Sequence, residues 1–383
     1  MVRKKENREV KVKKIVITVL MFLVFVGGSY YSLHKTVYKK LADEKVSSNN
    51  SSEKDSNNEK NTIDKKEPVQ TEVLLSSAGD CTIGHDTNFG YANSLPAVLN
   101  QKGNDYSYFF KNVAEIFKED NITTVNLETT FTNATVKAEK QFNFKAPPEY
   151  AKSLPLGNIE AVNLSNNHIY DYLDKGFKDT IAAVKAEGIN YFGEGNKWLT
   201  EVNGNKMAFL GYRGFSSDEA FLKKVKGDIE ELKSKGYTVV INFHWGQENS
   251  YYPSEGQKQI AHYAIDQGAD LIVGHHPHVI QGIEKYKNKI IAYSLGNFAF
   301  GGNMNPRDKD TFILQTKFVF KDNNLVSYGI KVIPCSISSV SYVNDYCPTP
   351  LKGNREQEVL AKLNKISMNL DFELKNDFVF LQH

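Results

Sequence analysis

The sequence predicts a layered α/β sandwich placed after an N-terminal transmembrane helix. Three observations carry this: apolar runs that end in polar loops and alternate with helix-period segments, hairpin-like stretches between them, and an uncharged stretch from Ile15 to Leu33. Strands alternating with helices imply a largely parallel central sheet covered by helices. The hairpins add antiparallel edges, which favours a layered sandwich over a barrel.

The N-terminus comes first. Residues 1–14 carry seven basic side chains against Glu6 and Glu9, and only Lys35, Lys39 and Lys40 follow the apolar stretch at similar distance. Residues 15–33 are about long enough to span a bilayer. The excess of Lys and Arg before them predicts a cytoplasmic N-terminus and an extracellular main domain, hence a single-pass protein of the cell membrane. A cleaved signal peptide is the competing reading, since Gly27, Gly28 and Ser29 are small, but the apolar core is long for one and no A-x-A site follows. Residues 34–70 are nearly devoid of apolar side chains from Ala42 onward and read as a disordered tether. Such a coil would hold the body on the order of 30 Å from the membrane.

The body is expected over residues 71–340. Val73–Ala78 leads into Gly79-Asp80, Ile122–Leu127 into Glu128, and Ile159–Leu164 into Ser165-Asn166-Asn167-His168. Val239–Phe243 leads into His244-Trp245-Gly246, and Leu271–Val273 into Gly274-His275-His276-Pro277-His278. Phe177, Ile181 and Val184 fall on one helical face, as do Ile260, Ala264 and Ile265. Hairpins are expected over 199–212, 283–293 and 312–333. Residues 341–383 read as an extension packing on the domain, with a helix bearing Val359, Leu360, Leu363 and Ile366 and a last strand near Phe378–Phe380.

Charge excludes one partner class. The first forty residues hold ten basic and two acidic side chains; the remainder holds 37 basic and 43 acidic, a net of −6. That balance has no footprint for nucleic acid. Attraction to any other polyanion would have to be local, as metal ions supply. Of three cysteines, Cys335 and Cys347 could pair and Cys81 would be left over.

Sites in α/β sheets form where the carboxyl ends of strands open into loops. Five strand ends deliver Asp80, Glu128, Asn167 with His168, His244, and His276 with His278, a mixture of oxygen and imidazole donors that suits zinc, manganese or iron. Six of the nine histidines, including His85 and His275, lie in these loops. Pro277 biases His276 toward an extended backbone. Each residue also has an ordinary structural reading: Asp80 as a turn residue or helix cap, Glu128 as a capping carboxylate, Asn166 and Asn167 as a left-handed turn, His244 as a buried hydrogen-bonded partner of Trp245.

Jointly the motifs resemble a family. Gly79-Asp80, Asn126-Leu127-Glu128, Phe144-Lys145-Ala146-Pro147-Pro148-Glu149, Asn163–His168, His244-Trp245-Gly246, Gly274–Val279 and Ser294-Leu295-Gly296-Asn297-Phe298 stand in the order of the CapA family, capsule-biosynthesis proteins associated with poly-γ-glutamate in bacteria. The resemblance spans about Leu74 to Phe300. It implies a fold similar to the calcineurin-like metallophosphoesterases, a two-sheet α/β sandwich with a dinuclear centre of Mn, Fe or Zn. By that analogy Asp80, Glu128, Asn167, His244, His276 and His278 are metal ligands, with Glu128 or Asp80 bridging, and His168 is the general acid. The implied partners are poly-γ-glutamate or another anionic polymer and membrane-embedded synthase subunits. Two departures stand against the phosphoesterase pattern: Asp80-Cys81-Thr82 replaces an Asp-x-His pair, and Asn-Leu-Glu stands in place of Gly-Asp.

Overall fold

The computed structural model describes residues 69–382. The basic segment 1–14, the expected membrane anchor 15–33 and almost all of the expected tether 34–70 lie outside the described residues. Among the described residues no helix is long and apolar enough to cross a membrane.

Two large mixed sheets, rather than one central sheet, form the body. The first has Gln70–Cys81 in its interior, antiparallel to Asp310–Lys321 on one side and parallel to Ile122–Leu127 on the other. Ala161–Asn163 and Asn190–Phe192 continue the parallel half, and Asn324–Ser336 continues the antiparallel half. In the second sheet Asn205–Gly214, Thr238–Trp245, Leu271–His275 and Lys289–Leu295 run parallel, flanked by antiparallel Trp198–Val202 and Ile280–Tyr286. The hairpins expected over 199–212, 283–293 and 312–333 are all present. A small third sheet joins His85–Asp86, Phe144–Ala146 and Thr130–Phe131.

The alternation of side chains explains the layering. Val73, Leu75, Ile122, Phe209, Val240, Leu271, Val273, Phe312 and Leu314 meet in the core between the sheets. Val125, Leu127 and Val162 point outward from the first sheet onto Phe109, Phe117 and Val184 of its helices. Val239, Ile241 and Ile272 point outward from the second sheet onto Val225, Ile229, Ile260 and Ala264 of helices Glu219–Ser234 and Glu255–Asp266. The result is helix, sheet, sheet, helix. Strands buried on both faces read as near-continuous apolar runs, which is why one sheet and two give the same sequence pattern.

The last residues are part of this architecture. Helix Asn354–Ile366 buries Val359, Leu360, Leu363 and Ile366 in the core between the sheets. Thr349–Pro350 and Val379–Gln382 both pair with Asn324–Ser336.

A half-buried acid near this frame gives a stability prediction. Burial pushes the Asp120 carboxyl up to about 7, with the Glu160 carboxylate adding to it and hydroxyl bonds from Ser76 and Thr123 opposing. Because the folded form binds this proton more tightly than the unfolded chain, stability is fullest below the ordinary carboxylate pKa and falls as pH rises toward 7. Asp120→Asn keeps an oxygen for the Thr123 hydroxyl, 2.7 Å away. It should raise unfolding free energy at pH 8 by about 1–3 kcal/mol and leave it nearly unchanged at pH 4, as read from urea titrations.

Candidate metal centre

Local irregularity, more than strand alternation, brings the donors together. Val73 and Leu75 face the core between the sheets, so plain alternation would turn Asp80 outward toward the helices. The register instead shifts between Ser77 and Asp80: Ser77 pairs with Thr124, yet Asp80 pairs with Asn126. The one extra residue of this bulge turns Asp80 inward. Its backbone is then clamped, Asp80 N–H donating to the Gly296 carbonyl at 2.9 Å and the Asp80 carbonyl accepting from Phe298 at 2.8 Å. Only glycine fits beside it, because a Cβ on Gly79 would lie 2.0 Å from the Gly296 oxygen.

On the second sheet, Phe243 and Trp245 turn outward together, stacked with centroids 4.7 Å apart, while His244 between them turns toward the first sheet. Trp245 bonds the Tyr293 carbonyl rather than His244. The backbone after Leu271–His275 departs from expectation. His276 is not extended: its φ is +98°, and that of His278 is +58°. The His276 N–H donates to the Asp80 carboxylate at 3.2 Å, and the turn beyond it brings His278 Nδ1 to 3.3 Å from the same carboxylate. Residues held at positive φ without glycine mark places where surrounding structure sustains strain.

All six expected donors meet. Glu128, His244 and His276 offer ligand atoms within 4.8 Å of one another, and so do Asp80, Glu128 and His278. Glu128 belongs to both groups. Its carboxylate is fully buried and neither oxygen has a hydrogen-bond partner, although His244 Nε2 lies 3.5 Å and His278 Nε2 3.8 Å away. Asn167 Oδ1 is 2.7 Å from His244 Nε2, which joins it to the first group. Buried polar atoms in native proteins almost always have partners. An orphaned carboxylate encircled by imidazoles therefore fits divalent cations.

Other residues hold these donors, and most escaped sequence reasoning. Asn126, in the motif from which only Glu128 was taken as a ligand, donates to Asp80 at 2.8 Å and contacts His244 Nδ1 at 3.2 Å. Its own oxygen accepts from Asn163 at 3.0 Å. The signal was its spacing, since Asn126 and Glu128 alternate on one face of their strand. Asn297 Oδ1 lies 2.9 Å from His278 Nδ1, and its amide donates to the His278 carbonyl. His275 sits behind Asp80, with Nδ1 at 3.5 Å and Nε2 bonded to Asn242. Glu248, four residues past His244, forms a further group with His276 and His278. His85 is half-buried in the small sheet and makes no bond or ion pair with the cluster.

His168 lies on the cleft side of the centre. Its Nδ1 is 2.7 Å from Asp171 Oδ2, and Lys140 pairs with the other Asp171 oxygen. The short carboxylate contact makes Nδ1 the protonated nitrogen and leaves Nε2 free to exchange a proton. Asp171, three residues after His168, was not singled out from the sequence.

Charge in the cluster is finely opposed. Burial resists ionisation of Asp80, but bonds and charge from His275 and His278 hold its carboxyl well below the usual range. Burial raises Glu128 well above it, with Asp80 adding and His278 opposing. Burial would lower His278, yet the Glu128 and Asp80 carboxylates push it up to about 10. Burial depresses His276 to about 4 and lowers His244 and His168. Bound cations would take over the charge balance that protonated His278 otherwise provides.

The centre opens into a cleft of about 950 Å³ lined by His168, His278, Asn297 and Glu248, with Phe89, Phe142, Phe144 and Phe300 along its walls. Phe144 lies against His168 with ring centroids 4.3 Å apart. Cys81, Cys335 and Cys347 are all free and buried, so the pairing of Cys335 with Cys347 left open by the sequence is not made.

Comparison with known proteins places the chain in a family. Residues 74–302 match the family model of the bacterial capsule synthesis protein PGA_cap. The chain is 32% identical over 296 residues to the capsule biosynthesis protein CapA of Bacillus anthracis, covering 70% of this chain and 68% of the relative. It is 30% identical over 294 residues to the PGA biosynthesis protein CapA of Bacillus subtilis, covering 70% and 74%. A probable polyglutamine synthesis accessory protein of Mycobacterium tuberculosis is 24% identical over 253 residues, covering 57% and 66%. Among solved structures, a hypothetical protein from Thermus thermophilus aligns at TM-score 0.42 and 16% identity over 68% of this chain and 99% of that one. A purple acid phosphatase from yellow lupin aligns at TM-score 0.34 and 8% identity over 69% and 51%. Scores of that size do not establish a shared fold. The sequence matches do establish kinship: this chain is a member of the CapA family of bacterial capsule synthesis proteins.

Proposed function

We propose that this protein is a membrane-anchored, outward-facing component of poly-γ-glutamate capsule synthesis or export, built on a metallophosphoesterase-type sandwich with a dinuclear divalent-metal centre. Support for the pathway comes from family membership and from relatives whose names concern capsule and polyglutamate synthesis. The apolar stretch 15–33 and its flanking charges support the anchor, and membrane-embedded synthase subunits are the natural partners.

The single observation that carries the centre is the buried, unpartnered Glu128 carboxylate shared by two donor groups. Asp80, Glu128 and His278 would hold one ion; Glu128, Asn167, His244 and His276 would hold the other. The nitrogen and oxygen mixture suits Mn, Fe or Zn. When bound, such ions acidify water and neutralise anionic oxygens. The chain's own contribution is positional: Asp171 orients His168, and His168 Nε2 can pass a proton to an oxygen in the cleft. That pair also favours a second reading, hydrolysis of a phosphate ester or lipid-linked phosphate outside the cell.

Metal content by mass spectrometry and turnover of aryl phosphate esters separate the readings. The full chain should carry about two divalent ions, His276→Ala should lose at least one, and His168→Ala should keep both. Turnover abolished by either substitution would favour the phosphoesterase. Metal without turnover favours a polymer-handling role, and a wild-type chain that binds no metal would leave only a scaffold for the synthase.

A further inference from the structure

The cleft beside the metal centre is not closed at its far end. A second cavity of about 690 Å³ adjoins it, and Tyr251, Arg307 and Asp308 line both. We propose that the two cavities form one groove for an extended polycarboxylate, in which Arg307 and Lys309 grip carboxylates of the chain at a distance from the metal centre. The inference rests on the polymer reading above and adds the path of the polymer.

Charge in the second cavity is the first argument. Its acids are already neutralised: Lys362 bonds Asp308 at 2.7 Å and Asp310 at 3.0 Å, and Arg355 bonds Asp310 at 2.7 Å. Tyr251 donates its hydroxyl to Asp308 at 2.8 Å. Arg307 and Lys309 are different. Neither pairs with a carboxylate among the described residues, and Lys309 Nζ donates only to the Pro306 carbonyl at 3.3 Å. Two uncompensated cations therefore face the groove in a body whose net charge is negative, so the attraction is local to this path.

Size and wall chemistry supply the second argument. A pocket of roughly 300–1,000 Å³ holds one small molecule, and two joined pockets at 950 and 690 Å³ accommodate a segment of several units. A γ-linked glutamate chain carries two methylenes in its backbone between successive carboxylates. It thus alternates apolar stems with anionic groups. The first cavity offers both kinds of surface, with imidazole and amide groups at the centre, the half-buried Phe89 and exposed Phe142 on its wall, and Arg307 on the side it shares with the second cavity. A compact phosphate ester would use the centre and leave the cationic cavity idle.

The test measures affinity against oligomer length. The full chain is loaded with Mn²⁺ and titrated with a γ-linked glutamate dimer and a decamer. Wild type should bind the decamer at least about tenfold more tightly than the dimer, since the second contact is intramolecular. The double variant Arg307→Ala/Lys309→Ala should lose about tenfold in decamer affinity while retaining its dimer affinity and its manganese. Both residues lie in a loop without strand or helix up to Lys309, so folding is preserved; Arg307→Glu alone should weaken the decamer further than Arg307→Ala. Decamer affinity unchanged in the double variant would overturn the groove and leave the polymer reading standing. No binding of either oligomer by manganese-loaded wild type would remove both.

Discussion

Glu128→Gln should lower metal affinity by at least about 100-fold and at the same time stabilise the metal-free protein. The two effects have opposite signs because Glu128 has two costs and one benefit. Its carboxylate is fully buried, both oxygens lack hydrogen bonds, and the Asp80 carboxylate lies in the same cluster. A neutral amide of equal size removes the burden of an unsatisfied acid, which is worth about 1–3 kcal/mol. It also removes the one residue common to both donor groups, so neither group keeps its full set. The measurement is paired: bound metal at saturating Mn²⁺, and denaturant stability in excess chelator. A variant that keeps two ions per chain would show that Glu128 does not join the groups.

The second large effect is expected at Gly79. Alanine there would put its Cβ 2.0 Å from the Gly296 oxygen and 2.9 Å from the Gly296 carbonyl carbon. Both are backbone atoms, so no side chain can swing aside. Relief requires the Gly79–Asp80 segment to separate from Gly296–Phe298, which breaks the clamp on Asp80. Gly79→Ala should cost about 3 kcal/mol of stability and lose bound metal as well. Gly90, which has nothing within 4 Å of an added Cβ, is the control, and Gly90→Ala should change stability by no more than about 0.5 kcal/mol. Equal effects at the two positions would mean that the approach of Gly79 to Gly296 is not what places Asp80.

Much of this was legible in the residues. Apolar runs located the strands that end at Asp80, Glu128, Asn167, His244 and His276, and turn residues located three hairpins. The division into two sheets was not legible from composition, because a strand buried on both faces looks the same in either. Strand alternation also gives the wrong face for Asp80, since the Ser77–Asp80 bulge has no signature beyond an unremarkable Gly79. The φ of His276 is opposite in sign to what Pro277 suggests, a local preference overridden where the turn carries His278 back to Asp80. Asn126 and Asp171 went unassigned because their role is to hold other side chains: the Asp80 partner of Asn126 is 46 residues away, leaving only its spacing from Glu128 as a signal, and Asp171 follows His168 by three residues outside any of the motifs.

The position of Gln70–Cys81 has a consequence for how the protein comes to be made. This strand opens the body, yet one of its neighbours, Asp310–Lys321, is synthesised more than two hundred residues later. Pairings so distant in sequence close large loops and make folding slow. Asp80 stays without its clamp from Gly296–Phe298 until most of the chain has emerged. Assembly of the donor cluster should therefore be a late event in maturation, and the intact cluster a certificate that the whole body has assembled.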